Sequence, residues 1–250
     1  MNVSINGAKI LYTIPVLGGI PITETIVMSW VVMAVITGLC IWLTHDLKVE
    51  NVSKRQAVAE MLVEAVTNFT RNNMGGKHFD YFIPFVAALF STSLVSNLIS
   101  LLGFYSPTAD LSTEAAWAIV VYILICGYKI RANGFVGFLK GFTSPIAIMT
   151  PFNILSDIAT PISMACRHFG NILSGVVISS LLYSALAVGN QALFGLLPGL
   201  VGDLLADIPF LTVGVPAILS VYFDWFGGCM QAFIFCTLTT MFIGNAAVPD

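Results

Sequence analysis

Charge is what this sequence has least of. Ten Lys and Arg with 13 Asp and Glu make 9% of 250 residues, against roughly a quarter in an ordinary soluble domain. So few charges cannot clothe a 26.9 kDa globule in polar groups, which excludes a cytosolic enzyme. Clustered Lys and Arg are missing, which excludes a nucleic-acid binder. There is no G-x-x-x-x-G-K-S/T loop, so no nucleotide chemistry is expected in this chain. The five cysteines (40, 126, 166, 229 and 236) lack C-x-x-C spacing and lie in apolar runs, where they read as small hydrophobes. His45, His78 and His168 are scattered without metal-ligand spacing, so each reads as an ordinary interfacial or helical histidine and no metal or cofactor is expected. Met1–Ile22 holds only Lys9 as a basic residue, so no cleavable signal peptide is expected. What the chain does have is apolar surface: 57% hydrophobic residues, 18 of them Phe, and a mean hydropathy of +0.91. These values place it in lipid.

A membrane helix needs about 20 apolar residues to cross a hydrocarbon core of roughly 30 Å. The apolar runs predict an all-α integral membrane protein of one domain, residues 1–250, with five membrane helices. They are expected over 24–44, 81–104, 112–130, 146–188 and 208–246, after an N-terminal segment 1–23. The last two are unusually long. Between Asp157 and Asp203 the only permanent charge is Arg167, and between Asp207 and Asp250 it is Asp224. Ile208–Ile243 alone would be about 54 Å long as a helix, so these two segments are expected as a steeply tilted hairpin that turns at the Gly- and Pro-punctuated stretch Gly189–Gly202. A sixth helix is expected over 51–72. Ser53 and Gln56 make a capping-box pattern, and Val58, Met61, Leu62, Ala65, Val66 and Phe69 recur at helical spacing opposite Glu60 and Glu64. Such a helix lies on the membrane surface or packs against a partner subunit.

Basic residues favour cytoplasmic connections. Lys48, Lys54, Arg55, Arg71 and Lys77 fall between the first two spans, and Lys129, Arg131 and Lys140 between the third and fourth. The other connections carry Asp110 and Glu114, or Asp203 and Asp207. The N-terminus is therefore expected outside and the C-terminus inside.

Arginine inside a membrane helix costs at least about 2.5–3.5 kcal/mol and cannot shed its proton. Apolar sequence runs on for many residues either side of Arg167, so it cannot snorkel from a helix end. Ser156, Thr160, Ser163, Arg167, Asn171 and Ser174 follow steps of three and four, which stacks them on one helix face. Ser220, Asp224, Gly228 and Gln231 make a second polar face. Two polar faces can line an ion path, with Arg167 meeting either Asp224 or an anion brought by another chain. Asp157 is about 15 Å away along a helix and cannot be its direct partner.

Three motifs then resemble subunit a of the membrane sector of the bacterial rotary ATP synthase. Pro161-Ile-Ser-Met-Ala-Cys-Arg167-His-Phe-Gly170-Asn171-Ile-Leu-Ser-Gly175 is similar to the family's P-x-S-x-x-x-R-L-F-G-N-x-x-x-G, departing at His168 where Leu is usual. Gln231-Ala-Phe-Ile-Phe235 and Ser106-Pro-Thr-Ala-Asp110-Leu resemble its last helix and its P-T-A-D-L turn. The resemblance implies a stator that passes H⁺ or Na⁺ through two offset half-channels against a rotating ring of c subunits, held by peripheral-stalk b subunits beside the other synthase subunits in a bacterial plasma membrane. It implies that Arg167 separates the half-channels and meets the ring carboxylates, with Asn171 and Gln231 as polar companions and Ser163 and Ser174 along the path. Many relatives carry Glu where this chain has Val176, so Asp224 is expected to serve as the outer relay, with Asp110 and Asp207 either an acidic mouth or solvated loop acids. Asp157 is expected either to serve the inner half-channel or to compensate a helix N-terminus. An independent secondary transporter or channel is the competing class; the sequence shows no internal repeat in its favour.

Overall fold

The computed structural model describes residues 9–15, 20–144, 146–194 and 221–247. The chain is an all-α integral membrane protein. Five helical segments among the described residues are long and apolar enough to cross a membrane: Glu24–Thr44, Phe79–Leu102, Leu111–Thr143, Ala147–Asn190 and Trp225–Ala246. The sheet among them is one antiparallel pair, β1 (Ile10–Ile14) and β2 (Ile20–Thr23), with Tyr12 opposite Ile22 and Thr13 opposite Pro21. Tyr, Thr and Ile favour a pleated surface, and this hairpin feeds straight into the first helix, which the expected N-terminal segment did not include.

Helix α1 (Glu24–Thr44) shows most of its surface outward, with Trp30, Met33, Leu39 and Ile41 exposed. In a water-soluble chain that would be an aggregation hazard; in lipid it is the expected solvent contact. Helix α2 (Lys54–Met74) starts where Ser53 Oγ accepts the Gln56 backbone N–H at 3.3 Å and stops at Gly75, whose φ of 85° suits glycine. Only half the capping box forms. The Gln56 side chain turns away to bond both backbone groups of Lys48 and to donate to Glu60. Arg71 grips Asp80 with two bonds of 2.8 and 2.7 Å; that hydrogen bonding raises the guanidinium pKa further, outweighing its partial desolvation.

Helix α3 (Ile83–Leu98) follows a tight turn over Lys77–Phe82. Helix α4 (Leu111–Thr143) runs well past the expected 112–130. The basic stretch that charge alone assigns to a loop is helical on both sides of Gly134, which absorbs a break at φ 71°. Helix α5 (Thr150–Phe194) spans 45 residues, about 68 Å, more than twice the hydrocarbon thickness, so it cannot stand upright in a bilayer. Pro161 within it removes the helical hydrogen bond that would end on the Asp157 carbonyl. The helix continues through Gly189–Phe194, where the turn is expected to begin; the rest of that turn and the first part of the last helix, 195–220, lie outside the described residues. Beyond them a wide helical turn, Val221–Gly227, leads into α6 (Gly228–Ala246).

Helix α6 is the axle of the packing. Helices α2, α3, α4 and α5 all lie against it, and Ala232, Phe235, Cys236, Thr239 and Ile243 on it are at most 1% exposed. Small side chains set the distances: a Cβ on Gly244 would approach the Met74 backbone to 3.0 Å, so a larger residue there would push α2 and α6 apart by a few tenths of an ångström.

Candidate functional site

The polar face of α5 and the side of α6 enclose a groove of about 230 Å³, lined by Ser156, Thr160, Ser163 and Arg167 with Leu238 and Phe242 opposite. Four of the six residues whose spacing predicts one polar face are thus in one groove. Arg167 lies several turns from either end of α5 and is exposed at the surface of the chain. Among the described residues it has no hydrogen-bond or ion-pair partner. Asn171 continues the face, its Nδ2 donating to the Gly227 carbonyl at 3.2 Å, and Ser174 donates to the Asn171 carbonyl at 2.9 Å. Gln231 is 6% exposed on α6.

A second cavity of about 340 Å³ adjoins the groove and shares Ser156, Thr160 and Phe242 with it. Its polar lining includes Tyr122, Lys129, Asn133, Asn153, Asp157 and Asn245. Asp157 accepts from Lys129 Nζ at 2.6 Å and from Tyr122 Oη at 2.9 Å. It lies two turns inside α5, beyond the first turn where a helix dipole acts, so N-terminal charge compensation does not explain it.

At the opposite end of α4, Asp110 is the N-cap. It accepts from Ser112 N at 3.0 Å and Ser112 Oγ at 2.6 Å, and from Thr25 Oγ1 of α1 at 3.1 Å. It is tied into the helix start rather than loose in a loop. Asp207 lies outside the described residues, and of Asp224 only the backbone, in the turn before α6, is described.

A buried polar string that the sequence reading missed sits between these features. Glu114, one turn into α4, and His168, next to Arg167, are both 0% exposed. His168 Nδ1 lies 2.9 Å from Glu114 Oε2, yet the ring N–H does not aim at that oxygen, so the contact has the distance of an ion pair without an aligned hydrogen bond. On the other side of the ring, Nε2 faces Asn97 Nδ2 at 3.4 Å. Asn97 donates to the Gly228 carbonyl at 2.9 Å and accepts from Thr108 Oγ1 at 2.6 Å, and Thr108 meets Ser106 Oγ at 2.7 Å. Trp117 and Phe235 flank the imidazole.

A family model described as ATP synthase A chain matches residues 26–244. The chain belongs to the ATP synthase A chain family. Among curated relatives it is 30% identical over 241 residues to "ATP synthase subunit a, sodium ion specific" of Propionigenium modestum, covering 90% of this chain and 74% of that one. It is 31% identical over 231 residues to "ATP synthase subunit a 1" of Prosthecochloris aestuarii, covering 92% of each. To "ATP synthase subunit a 2" of a Bradyrhizobium strain it is 32% identical over 231 residues, covering 92% and 91%. The matched stretch runs from the first turn of α1 nearly to the end of α6 and takes in Arg167, Asp157, Glu114 and His168.

In this member of the ATP synthase A chain family, Gly228 of α6 packs directly on Asn97 of α3. A Cβ there would lie 2.9 Å from Asn97 Cβ, below any ordinary carbon contact. Gly228→Ala is therefore expected to push Asn97 off its carbonyl and to cost about 1–3 kcal/mol. The measurement is the temperature at which the detergent-purified complex releases this chain; an unchanged midpoint would contradict the close approach.

Proposed function

We propose that the chain is the ion-conducting stator subunit of a rotary ATP synthase, and that Arg167 stands between two offset half-channels. The observation that carries this reading is Arg167 itself: a permanent cation well inside a membrane helix, without a partner among the described residues, on an outward face that opens into the groove. A cation so placed is stabilised by an anion on another chain, and a ring of c subunits passing with a membrane carboxylate each supplies one in turn. The fixed charge pulls the carboxylate into its ionised form and repels a free cation, so an ion cannot slip from one half-channel to the other. It must ride the ring instead. Each monovalent ion then delivers about 2.3 kcal/mol per 100 mV, so several are needed for each ATP.

In this reading the cavity around Asp157, Lys129 and Asn153 is the inner half-channel, and the end of α4 near Asp110, with Asp207 and Asp224, is the outer one. Ser163, Asn171, Ser174 and Gln231 give the passing ion and the ring carboxylate polar partners. Peripheral-stalk b subunits hold the chain against torque, in a bacterial plasma membrane with the N-terminus outside and the C-terminus in the cytoplasm. One relative is named as sodium ion specific, so both ions belong in the test. The whole complex, reconstituted in liposomes, is expected to drive either lumen acidification or radioactive sodium uptake when ATP is hydrolysed. Hydrolysis by an intact complex with uptake of neither ion would overturn the proposal.

A further inference from the structure

We propose that Glu114 and His168 form a proton-holding station on the outer half of the ion path, with the ring held from its other side by the hydroxyl and amide string Ser106–Thr108–Asn97. This rests on the stator reading above and narrows it to a proton.

Burial makes the pair expensive. Neither residue has exposed surface, and a carboxylate without hydrogen bonds is among the costliest groups to take out of water. Buried polar atoms in folded proteins are nearly always paired. Here both Glu114 oxygens and His168 Nδ1 lack an aligned hydrogen bond among the described residues. A structural ion pair would be held by aligned bonds. A group that must take up and release a proton needs a free lone pair, and Glu114 Oε1 is one.

The neighbouring amide fixes where the ring hydrogen sits. Asn97 Nδ2 commits one hydrogen to the Gly228 carbonyl at 2.9 Å and turns its other side to His168 Nε2 at 3.4 Å. Facing a donor, Nε2 is assigned the lone pair, which leaves the ring hydrogen on Nδ1. A second ring proton would meet the amide hydrogens head on. With the ring neutral, the site has two states, a carboxylate and a carboxylic acid at Glu114, one proton apart. Loading breaks an O–H bond of a hydronium ion as it forms an O–H bond on Glu114 and leaves a water molecule; unloading returns the proton from Glu114 to water and restores the carboxylate. Charge balances at each step, and no electron moves.

Position agrees. Glu114 stands about 6 Å along α4 from Asp110, at the end of the bundle placed outside above. Ser106 and Thr108 are buried in the turn that precedes α4 and lead inward to Asn97. Successive residues on a helix differ by about 100°, so His168 turns toward α3 and α4 while Arg167 turns to the groove. Few other charges bear on the pair. On α4 there is Asp110 one turn before; on α5, Arg167 and the thiol of Cys166; on α6, the thiols of Cys229 and Cys236, with Asp224 in the turn ahead. Helix α3 has no charged residue.

The test uses the whole complex in liposomes, with Glu114→Gln, Glu114→Asp and Arg167→Ala side by side. Glu114→Gln keeps the shape and removes the exchangeable proton; ATP-driven proton uptake is expected to fall on the order of 100-fold with the complex intact. Glu114→Asp is expected to recover a large part of that loss with a displaced pH profile, which a packing role would not produce. The station is overturned by normal uptake in Glu114→Gln at every pH, or by an Asp variant as slow as the Gln variant. Should the Gln variant not assemble, a pH profile of Glu114→Asp identical to the parent's overturns it. A complex that pumps sodium and no protons removes the station alone, whereas normal coupling in Arg167→Ala removes the stator reading beneath it.

Discussion

Arg167→Ala is expected to abolish ion-driven ATP synthesis while the complex still assembles. The guanidinium makes no hydrogen bond or ion pair with the described residues of its own chain, so its removal breaks no such bond among them, and it relieves an insertion cost of about 2.5–3.5 kcal/mol. In the proposed stator role, what is lost lies between chains. A unit charge about 4 Å from a ring carboxylate in an environment of effective dielectric near 20 is worth about 4 kcal/mol, close to a thousandfold in the population of the ionised partner. Without it the carboxylate passes the stator protonated, and the groove no longer repels a cation, so passive ion flow is expected to rise as synthesis falls. Arg167→Lys tests the chemistry more finely. An ammonium at this depth can shed its proton, and it offers a point charge where Arg offers a planar fork. It should restore little synthesis. Synthesis in Arg167→Ala membranes equal to the parent's would refute the role given to this residue.

The polar face that carries Arg167 was readable because a helix imposes its own geometry: steps of three and four put Ser156, Thr160, Ser163 and Arg167 on one side wherever α5 goes, and the groove gathers those same four. The spans were readable for a similar local reason, since length and apolarity are properties of a segment. What depended on distant parts of the chain was not. Glu114 is the fourth residue of its helix, where an acid reads as loop charge, and His168 reads as an ordinary helical histidine; only the packing of α4 against α5 brings them to 2.9 Å. Two local signals did exist, namely an acid inside the first turns of an apolar helix and a titratable ring where relatives usually carry Leu. The extension of α4 to Thr143 escaped because three basic residues outweighed helical spacing in placing a loop. The hairpin Ile10–Thr23 escaped because a two-stranded ribbon leaves a short, weak periodic signal.

The pair Lys129–Asp157 gives a case in which stability and conduction should separate. Asp157 is 15% exposed and Lys129 36%, and the 2.6 Å bond between them is supported by Tyr122 Oη on the other carboxylate oxygen. Lys129→Ala removes the cation and leaves a largely enclosed carboxylate with one neutral donor, at an expected cost of about 1–2 kcal/mol after allowing for the solvent that reaches the lysine. Removing both leaves no charge unpaired, and only the part-exposed Tyr122 hydroxyl loses its acceptor, so Lys129→Ala with Asp157→Ala is expected to recover most of that stability. Conduction should not follow. If Asp157 is the acid of the inner half-channel, the double variant stays slow however well it holds together, and Asp157→Asn, which preserves the bond from Tyr122 and the shape of the cavity, is slow as well. Heating midpoints of the purified complex and ATP-driven ion uptake in liposomes read the two quantities independently. Uptake that rises and falls with stability across these three variants would make Asp157 a strut rather than part of the path, because a strut regains its function when its neighbours repack and an ion-binding carboxylate does not.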